Sequence, residues 1–377
     1  MLHPVRFRYL LRLSLNSILF VFFTFLAART RAQSSTYVGG YGEMNYQNFS
    51  NGNPPRLDIS RFVIYLDHTF DSRWTFRSET EIEHVKIEGG AGGEIGIEQA
   101  YLEYRANERI GWRGGLLVLP IGIMNQTHEP NSYFSVLRPL FDQTVVPTTW
   151  AEIGTGVYGN LSKALAYQLY LSEGLQTQNS TMQTLDGAKQ EGWAAAETSD
   201  TLAGSNVSRP ALSGKLTFTP AEGLEIGASG YLERGPTTIF SNLFELGDLD
   251  VQYETNAWRF RAEGAYVNTG MVLPDVPAQV VGGYGELAFN LFSFTKMRSQ
   301  LWAFSRFEEY AFREYTSDSS EDILGDGPTV STIHRALVSG VAFKPMNELI
   351  LKADYQWTNT DSPLEHREWA LGAGYVF

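Results

Sequence analysis

Residues 367–377 read Arg367-Glu368-Trp369-Ala370-Leu371-Gly372-Ala373-Gly374-Tyr375-Val376-Phe377. Trp369, Leu371, Ala373, Tyr375 and Phe377 alternate with Glu368, Ala370, Gly372, Gly374 and Val376. A period of two marks an extended strand with unlike faces. One face is apolar and ends in aromatics; the other is small or charged. The pattern recurs upstream. Trp258, Phe260, Ala262, Gly264 and Tyr266 alternate with Arg259, Arg261, Glu263 and Ala265. Leu349, Leu351, Ala353, Tyr355 and Trp357 alternate with Ile350, Lys352, Asp354 and Gln356, and Phe62, Ile64, Leu66, His68 and Phe70 with Arg61, Val63, Tyr65, Asp67 and Thr69. No comparable run carries helical spacing outside the N-terminus.

Sixteen strands are predicted, at 36–46, 57–70, 73–88, 94–106, 110–119, 149–159, 164–173, 210–219, 222–233, 248–254, 257–268, 280–291, 297–309, 331–343, 348–357 and 367–377. A soluble sandwich also alternates, so the connections decide the class. They alternate in length, with Glu88 to Gly93 the one short connection on the long side. Asp71-Ser72, Asn107 to Arg109, Pro220-Ala221 and Thr255-Asn256 are tight, whereas Pro120 to Thr148, Gly174 to Arg209, Gly235 to Gly247 and Tyr310 to Val330 are long. Short turns at one end and long loops at the other define an all-β, transmembrane antiparallel β-barrel. In lipid every backbone N–H and C=O needs an internal partner, so strands cross only as a closed barrel. Trp74, Trp112, Tyr158, Tyr167, Tyr266, Phe343, Trp357 and Trp369 fall near strand ends, where aromatic girdles meet the lipid–water boundary.

Arg6, Arg8 and Arg12 precede an apolar stretch, Ile18 to Ala28, and then Thr30-Arg31-Ala32. A basic start, a short apolar run and a small-x-small site read as a secretory signal peptide over residues 1–32. Residues 33–377 then form one barrel domain. The chain carries 29 Lys and Arg against 42 Asp and Glu, and no cysteine. The acidic balance without a basic tail excludes a nucleic-acid partner. The lack of cysteine excludes disulfide scaffolds, thiolate metal sites and thiol catalysis.

A sixteen-strand barrel leaves an aqueous lumen, and its work is filtering at the narrowest point. Alternation aims Arg61, Arg73, Arg77, Arg105, Arg113, Arg259, Arg261 and Lys352 inward, with Glu79, Glu81, Glu83, Glu103, Glu263 and Asp354 as the acidic complement. These are the candidate pore-lining and selectivity residues. Arg335 falls in the outward phase of its strand, so a bulge or a boundary position is expected there. The candidate constriction loop is 120–148, which mixes Tyr133, Phe134 and Phe141 with His128, Glu129, Arg138 and Asp142. A loop this long with packing residues is expected to fold inward. The 174–209 loop, rich in Gln, Ser, Thr, Ala and Gly, is expected to be mobile and external. No Gly-x-Ser-x-Gly elbow occurs, and His84 and Glu83 point to opposite faces, so no enzyme active site, metal site or cofactor is expected.

The terminal Tyr375-Val376-Phe377 resembles the signal by which bacterial outer-membrane barrels are recognised by their insertion machinery. With the leader and the sixteen strands, the whole of 33–377 resembles a Gram-negative porin. Leu119-Pro120-Ile121-Gly122-Ile123-Met124-Asn125, His128-Glu129-Pro130, Arg138-Pro139 and Val146 to Glu152 are similar to the third-loop region of the phosphate-selective O/P group of porins. The resemblance implies a diffusion channel in the outer membrane for small hydrophilic solutes or anions. It also implies contact with outer-membrane lipid, insertion by the barrel-assembly machinery, and a homotrimer. A mainly structural or adhesive barrel is the alternative, and an outer-membrane hydrolase a more remote one.

Overall fold

The computed structural model describes residues 34–50, 53–84, 93–174, 210–234, 243–269, 277–314, 329–360 and 366–377. The expected leader, nearly all of the 174–209 loop, and the acids Glu191, Glu197, Asp200, Asp318, Glu321, Asp322 and Asp326 lie outside them. Sixteen strands form. The first eight are β1 (Ser35–Phe49), β2 (Arg56–Thr69), β3 (Trp74–Glu83), β4 (Glu94–Arg105), β5 (Gly111–Val118), β6 (Ala151–Asn160), β7 (Leu165–Ser172) and β8 (Ala211–Ala221). The rest are β9 (Leu224–Arg234), β10 (Leu243–Glu254), β11 (Trp258–Asn268), β12 (Pro277–Asn290), β13 (Gln300–Glu314), β14 (Thr329–Met346), β15 (Leu349–Thr360) and β16 (His366–Val376). Each pairs antiparallel with its sequence neighbours, and β1 closes on β16, leaving no free edge.

The seam runs from Tyr41 opposite Val376 to Phe49 opposite Glu368. Beyond it, Phe377 N–H donates to the Gly40 carbonyl at 2.8 Å, and Gly40 N–H to the Phe377 carbonyl at 3.0 Å. On β16 the apolar face points out, with Trp369, Leu371 and Tyr375 all exposed. Such a surface is tolerable only against lipid or another apolar partner. Outward aromatics cluster near strand ends, as where Trp74 meets Tyr104 at 4.8 Å and Trp112 at 6.2 Å. Tyr158 departs from the expected girdle. It faces the lumen, its ring 4.2 Å beneath the Arg113 guanidinium, because β6 aims Glu152, Gly154, Gly156 and Tyr158 inward. Arg335 does face outward, 2.8 Å from Glu309 on β13. The register shift of that pair of strands lies further on, at Phe312 and Arg313.

Strands β10, β13 and β14 reach further into the long connections than alternation suggested. In β10 the extension Leu243 to Gly247 buries Phe244 and Leu246 inside, whereas lower in the strand Asp248 and Asp250 face in. The period persists but the apolar face changes sides, which hides the strand from a reading that assumes a polar interior. The reason is the 119–150 segment, which folds into the lumen and carries the short helix α1 (Leu140–Thr144). Ile121, Phe141, Val145 and Trp150 pack with Tyr231, Phe244, Leu246, Val280, Tyr284, Tyr310 and Phe312. The apolar core of this barrel therefore lies inside it, between loop and wall.

Candidate functional site

A chain segment buried in a lumen must find partners for its backbone polar groups. Here the charged wall supplies them. The neck is closed by Asn125, fully buried, whose Nδ2 donates to the Leu119 carbonyl at 2.7 Å while its Oδ1 accepts from Trp150 N–H at 2.7 Å. Gly122 follows with φ of +65°, a conformation that favours glycine. Its N–H donates to Ser229 Oγ at 3.0 Å and its carbonyl accepts from Lys215 Nζ at 2.6 Å. Glu263 Oε1 accepts from Ile123 N–H at 3.2 Å. Glu308 Oε2 accepts from Phe141 N–H at 2.8 Å. Asp354 accepts from Val136 N–H. Arg259 and Arg261 both donate to the Ser132 carbonyl, and Lys344 donates to that of Asn131 at 2.8 Å. Arg306 bonds Ser135 Oγ at 2.6 Å while pairing with Glu308 and Glu286.

The loop is thus held on several strands at once, and free lumen remains along β1 to β7. Two cavities lie there. One of about 450 Å³ is lined by Asp67, Arg77, Glu79, Tyr101, Arg113, His128 and Glu129, toward the short-turn end. The other, about 360 Å³, is lined by Glu43, Arg56, Asp58, Arg61, Glu83, Tyr133 and Arg138, toward the long-loop end. Between them sits a packed charge cluster. Arg61 Nε lies 2.8 Å from Glu43 Oε1 and 3.8 Å from Glu81 Oε1. Tyr133 hydroxyl donates to Glu43 Oε2 at 2.7 Å, and Arg61 donates to the His128 carbonyl at 3.2 Å. Lys352 Nζ stands 3.5 Å over the Tyr133 ring. His128 Nε2 faces Glu79 at 3.4 Å and Glu98 at 3.5 Å. Burial alone would push this imidazole down; the two carboxylates outweigh that and hold it well above the usual histidine range. Asp142, buried in α1, is pushed well up by burial and by Glu308, against the pull of Arg306.

Of the residues expected inward, Arg61, Glu79, Glu263, Arg259, Arg261, Lys352 and Asp354 contact the loop, and Glu81 stands behind them, 3.8 Å from Arg61. Arg113 pairs with Glu103 at 2.8 Å, and Arg77 with Asp67 at 3.1 Å, below it. Arg105 stands exposed at the short-turn rim, 3.8 Å from Glu103. Arg73 is not in the lumen wall; it precedes β3 in the turn and donates to Tyr104 hydroxyl at 3.2 Å. Several lumen groups escaped the sequence reading: Glu43, Glu98, Lys215, Glu286, Arg306 and Glu308. Glu98 is a bulged residue, since Glu79 pairs with Gln99 and Thr80 with Ile97. Its signal was legible: Ile95 and Ile97 face out in one phase, Leu102 in the other, so a slip lies between. Arg306 lies on β13, where aromatics occupy both faces and alternation carries no sign.

No family model matches the chain. A curated protein of Aquifex aeolicus (strain VF5), described as an uncharacterized protein, is 29% identical over 341 residues, covering 84% of this chain and 74% of its own length. Among solved structures, OmpF of Salmonella typhi in complex with daunomycin superposes with a TM-score of 0.61 at 10% identity, over 91% of this chain and 97% of that one. The anion-selective porin of Comamonas acidovorans gives 0.58 at 9% identity, over 92% and 100%. The outer membrane channel DcaP of Acinetobacter baumannii gives 0.57 at 11% identity, over 93% and 99%. At these identities the likeness is one of fold: a closed sixteen-strand barrel of the kind outer-membrane porins adopt.

Proposed function

We propose that this protein is a porin of a Gram-negative outer membrane, a water-filled channel for passive diffusion of small hydrophilic solutes and not an enzyme. One observation carries the reading. The 119–150 segment is bonded to the walls of a closed barrel and, among the described residues, leaves polar cavities on either side of the Arg61 cluster. A loop that only decorated the outside would not engage Lys215, Glu263 and Glu308. Confinement between charged walls sorts solutes by size and charge. The leader-like N-terminus and the apolar belt support export and lipid contact. The terminal Phe377 supports recognition by the assembly machinery. A trimer form described for OmpT of Vibrio cholerae, which shares the fold with a TM-score of 0.55 at 8% identity, supports a homotrimer.

The finer reading is an anion preference, in line with the likeness of the loop to the phosphate-selective O/P group and with the anion-selective neighbour. Within the cavities its support narrows to Arg56 and Arg77, the more exposed cations, with side-chain exposures of 58% and 45%. Arg61 and Arg259 each lie within 4 Å of a carboxylate and are buried, so they act first as structural partners. Conductance in a planar bilayer tests the channel reading. Deleting Met124 to Pro139 is expected to raise single-channel conductance in a barrel that still folds; an unchanged value refutes the constriction role.

A further inference from the structure

The chain gathers, at the base of its lumen loop, two carboxylates and one imidazole from three separate elements: Glu79 of β3, Glu98 of the β4 bulge and His128 of the loop. All three are buried, and one ligand atom from each lies within 4.8 Å of the others. Among the described residues no other trio of acidic, His or Cys side chains converges this closely. His128 Nδ1 lies 2.8 Å from the Asn125 carbonyl, which makes Nδ1 the protonated donor and turns Nε2 toward the two carboxylates. That arrangement, a ring N–H fixed by a backbone carbonyl with the other nitrogen directed at acids, is how a metal-ligating histidine is oriented.

The spacings fit an ion better than a direct pair. Charge-assisted N–H···O bonds close to about 2.7–2.9 Å. Here Nε2 stands 3.4 Å from Glu79 Oε1 and 3.5 Å from Glu98 Oε2. Metal–ligand bonds of about 2.1 Å in a tetrahedron set neighbouring donor atoms about 3.4 Å apart. A second observation points the same way. Glu98 is 8% exposed, and neither of its carboxylate oxygens has a hydrogen-bond partner. The bulge turns this acid inward beside a second carboxylate, Glu79, with only the long His128 contact at 3.5 Å to offset the paired negative charge.

We propose that Glu79, Glu98 and His128 form a binding site for one divalent d-block cation, of the class of Zn²⁺, which ties the lumen loop to the β3–β4 wall. The imidazole and carboxylate donors suit such a cation rather than Ca²⁺ or Mg²⁺, which take oxygen shells. Glu79 and His128 also line the larger cavity, from which a water completes the coordination. The ion enters as M²⁺ and displaces the proton held on Nε2, so binding releases protons and involves no redox step. The site stands independently of whether the barrel conducts.

The test uses the folded full chain in detergent, stripped with a chelator and dialysed against Zn²⁺. One Zn²⁺ per chain is expected. Glu98→Gln keeps the side-chain shape and is expected to weaken binding by at least about tenfold. His84→Gln, at the exposed His84–Asp58 contact, is expected to leave it unchanged. Heat-modifiable migration on a gel reports that each variant is folded. Co²⁺ in the wild type supplies a readout that needs no variant: the intense visible bands of a four-coordinate site. Folded wild type that retains no Zn²⁺ would mean that an imidazolium between two carboxylates is the whole story. That result, a six-coordinate Co²⁺ spectrum, undiminished binding in Glu98→Gln, or loss in His84→Gln each overturns the proposal.

Discussion

Replacing Phe134 by Ala should release the far end of the lumen loop while leaving the barrel closed. Phe134 is 1% exposed and stacks on Trp302 at 5.1 Å, with Phe304 at 6.2 Å. The Arg259 guanidinium lies 4.5 Å from its ring centroid, and Lys344 Nζ 5.6 Å. Truncating a fully buried Phe costs about 3–5 kcal/mol through lost transfer energy and the cavity left behind. The cation–π contact with Arg259 adds about 1 kcal/mol. Relaxation of Trp302 into the space recovers part of this, so about 4 kcal/mol is the working figure, a factor of about 10³ in the ratio of docked to released loop. Phe134 lies in no strand, so the ladders that close the barrel lose nothing directly. In planar bilayers the variant should show larger conductance or added open-channel noise, with the heat-modifiable folded form retained. A folded variant whose current is identical in amplitude and noise would refute the view that the Phe134 contact holds the loop across the passage.

Further outcomes follow from other contacts. Removing Tyr375 to Phe377 should abolish the heat-modifiable form, since it deletes the last pairs of the β1–β16 seam and their exposed aromatics; normal yield of folded barrel would count against it. Arg259→Ala with Arg261→Ala should loosen the loop at Ser132 and raise open-channel noise, whereas Arg77→Ala should move the reversal potential in a salt gradient toward cations; unaltered noise in the first or unaltered selectivity in the second would count against these roles. Asp142 faces Glu308 and Arg306 of β13, Asp248 of β10 and Glu263 of β11. Its pKa is raised in the folded state, so its contribution to loop docking is complete below the ordinary carboxylate range and is lost as pH rises through the raised value. Open-channel noise should therefore grow with pH in the wild type and less so in Asp142→Asn; identical pH profiles would remove Asp142 from the account.

The barrel was legible because lipid and water impose opposite demands on alternate residues, and β11, β15 and β16 obey them along most of their length. The loop was legible as a packed segment, through Tyr133, Phe134 and Phe141 between two clear strands. Its contacts were not. Whether Arg306 meets Ser135, or Lys215 meets Gly122, depends on depth and azimuth in a closed cylinder, which alternation does not encode. The inward face of β10 and β13 misled for a related reason: once a loop fills that side of the lumen, Phe244, Tyr310 and Phe312 belong inside. Glu98 was recoverable from the phase slip between Ile97 and Leu102, and missing it concealed the trio at the loop's base.

The seam between β1 and β16 also governs how the chain reaches its native state. Tyr37 hydroxyl reaches the Phe377 carbonyl across 340 positions of sequence, whereas every other strand pair joins consecutive segments. Closing a ring of that size costs about 3 kcal/mol more chain entropy than closing a ten-residue hairpin. That penalty falls on a single ladder, and it cannot be met before β16 exists. Until then fifteen strands can zip locally and still present two raw edges with an apolar exterior, a species prone to join its own kind. The step that finishes the cylinder is thus the least local event in its assembly, and the interval before it is when the nascent sheet most needs shelter from water.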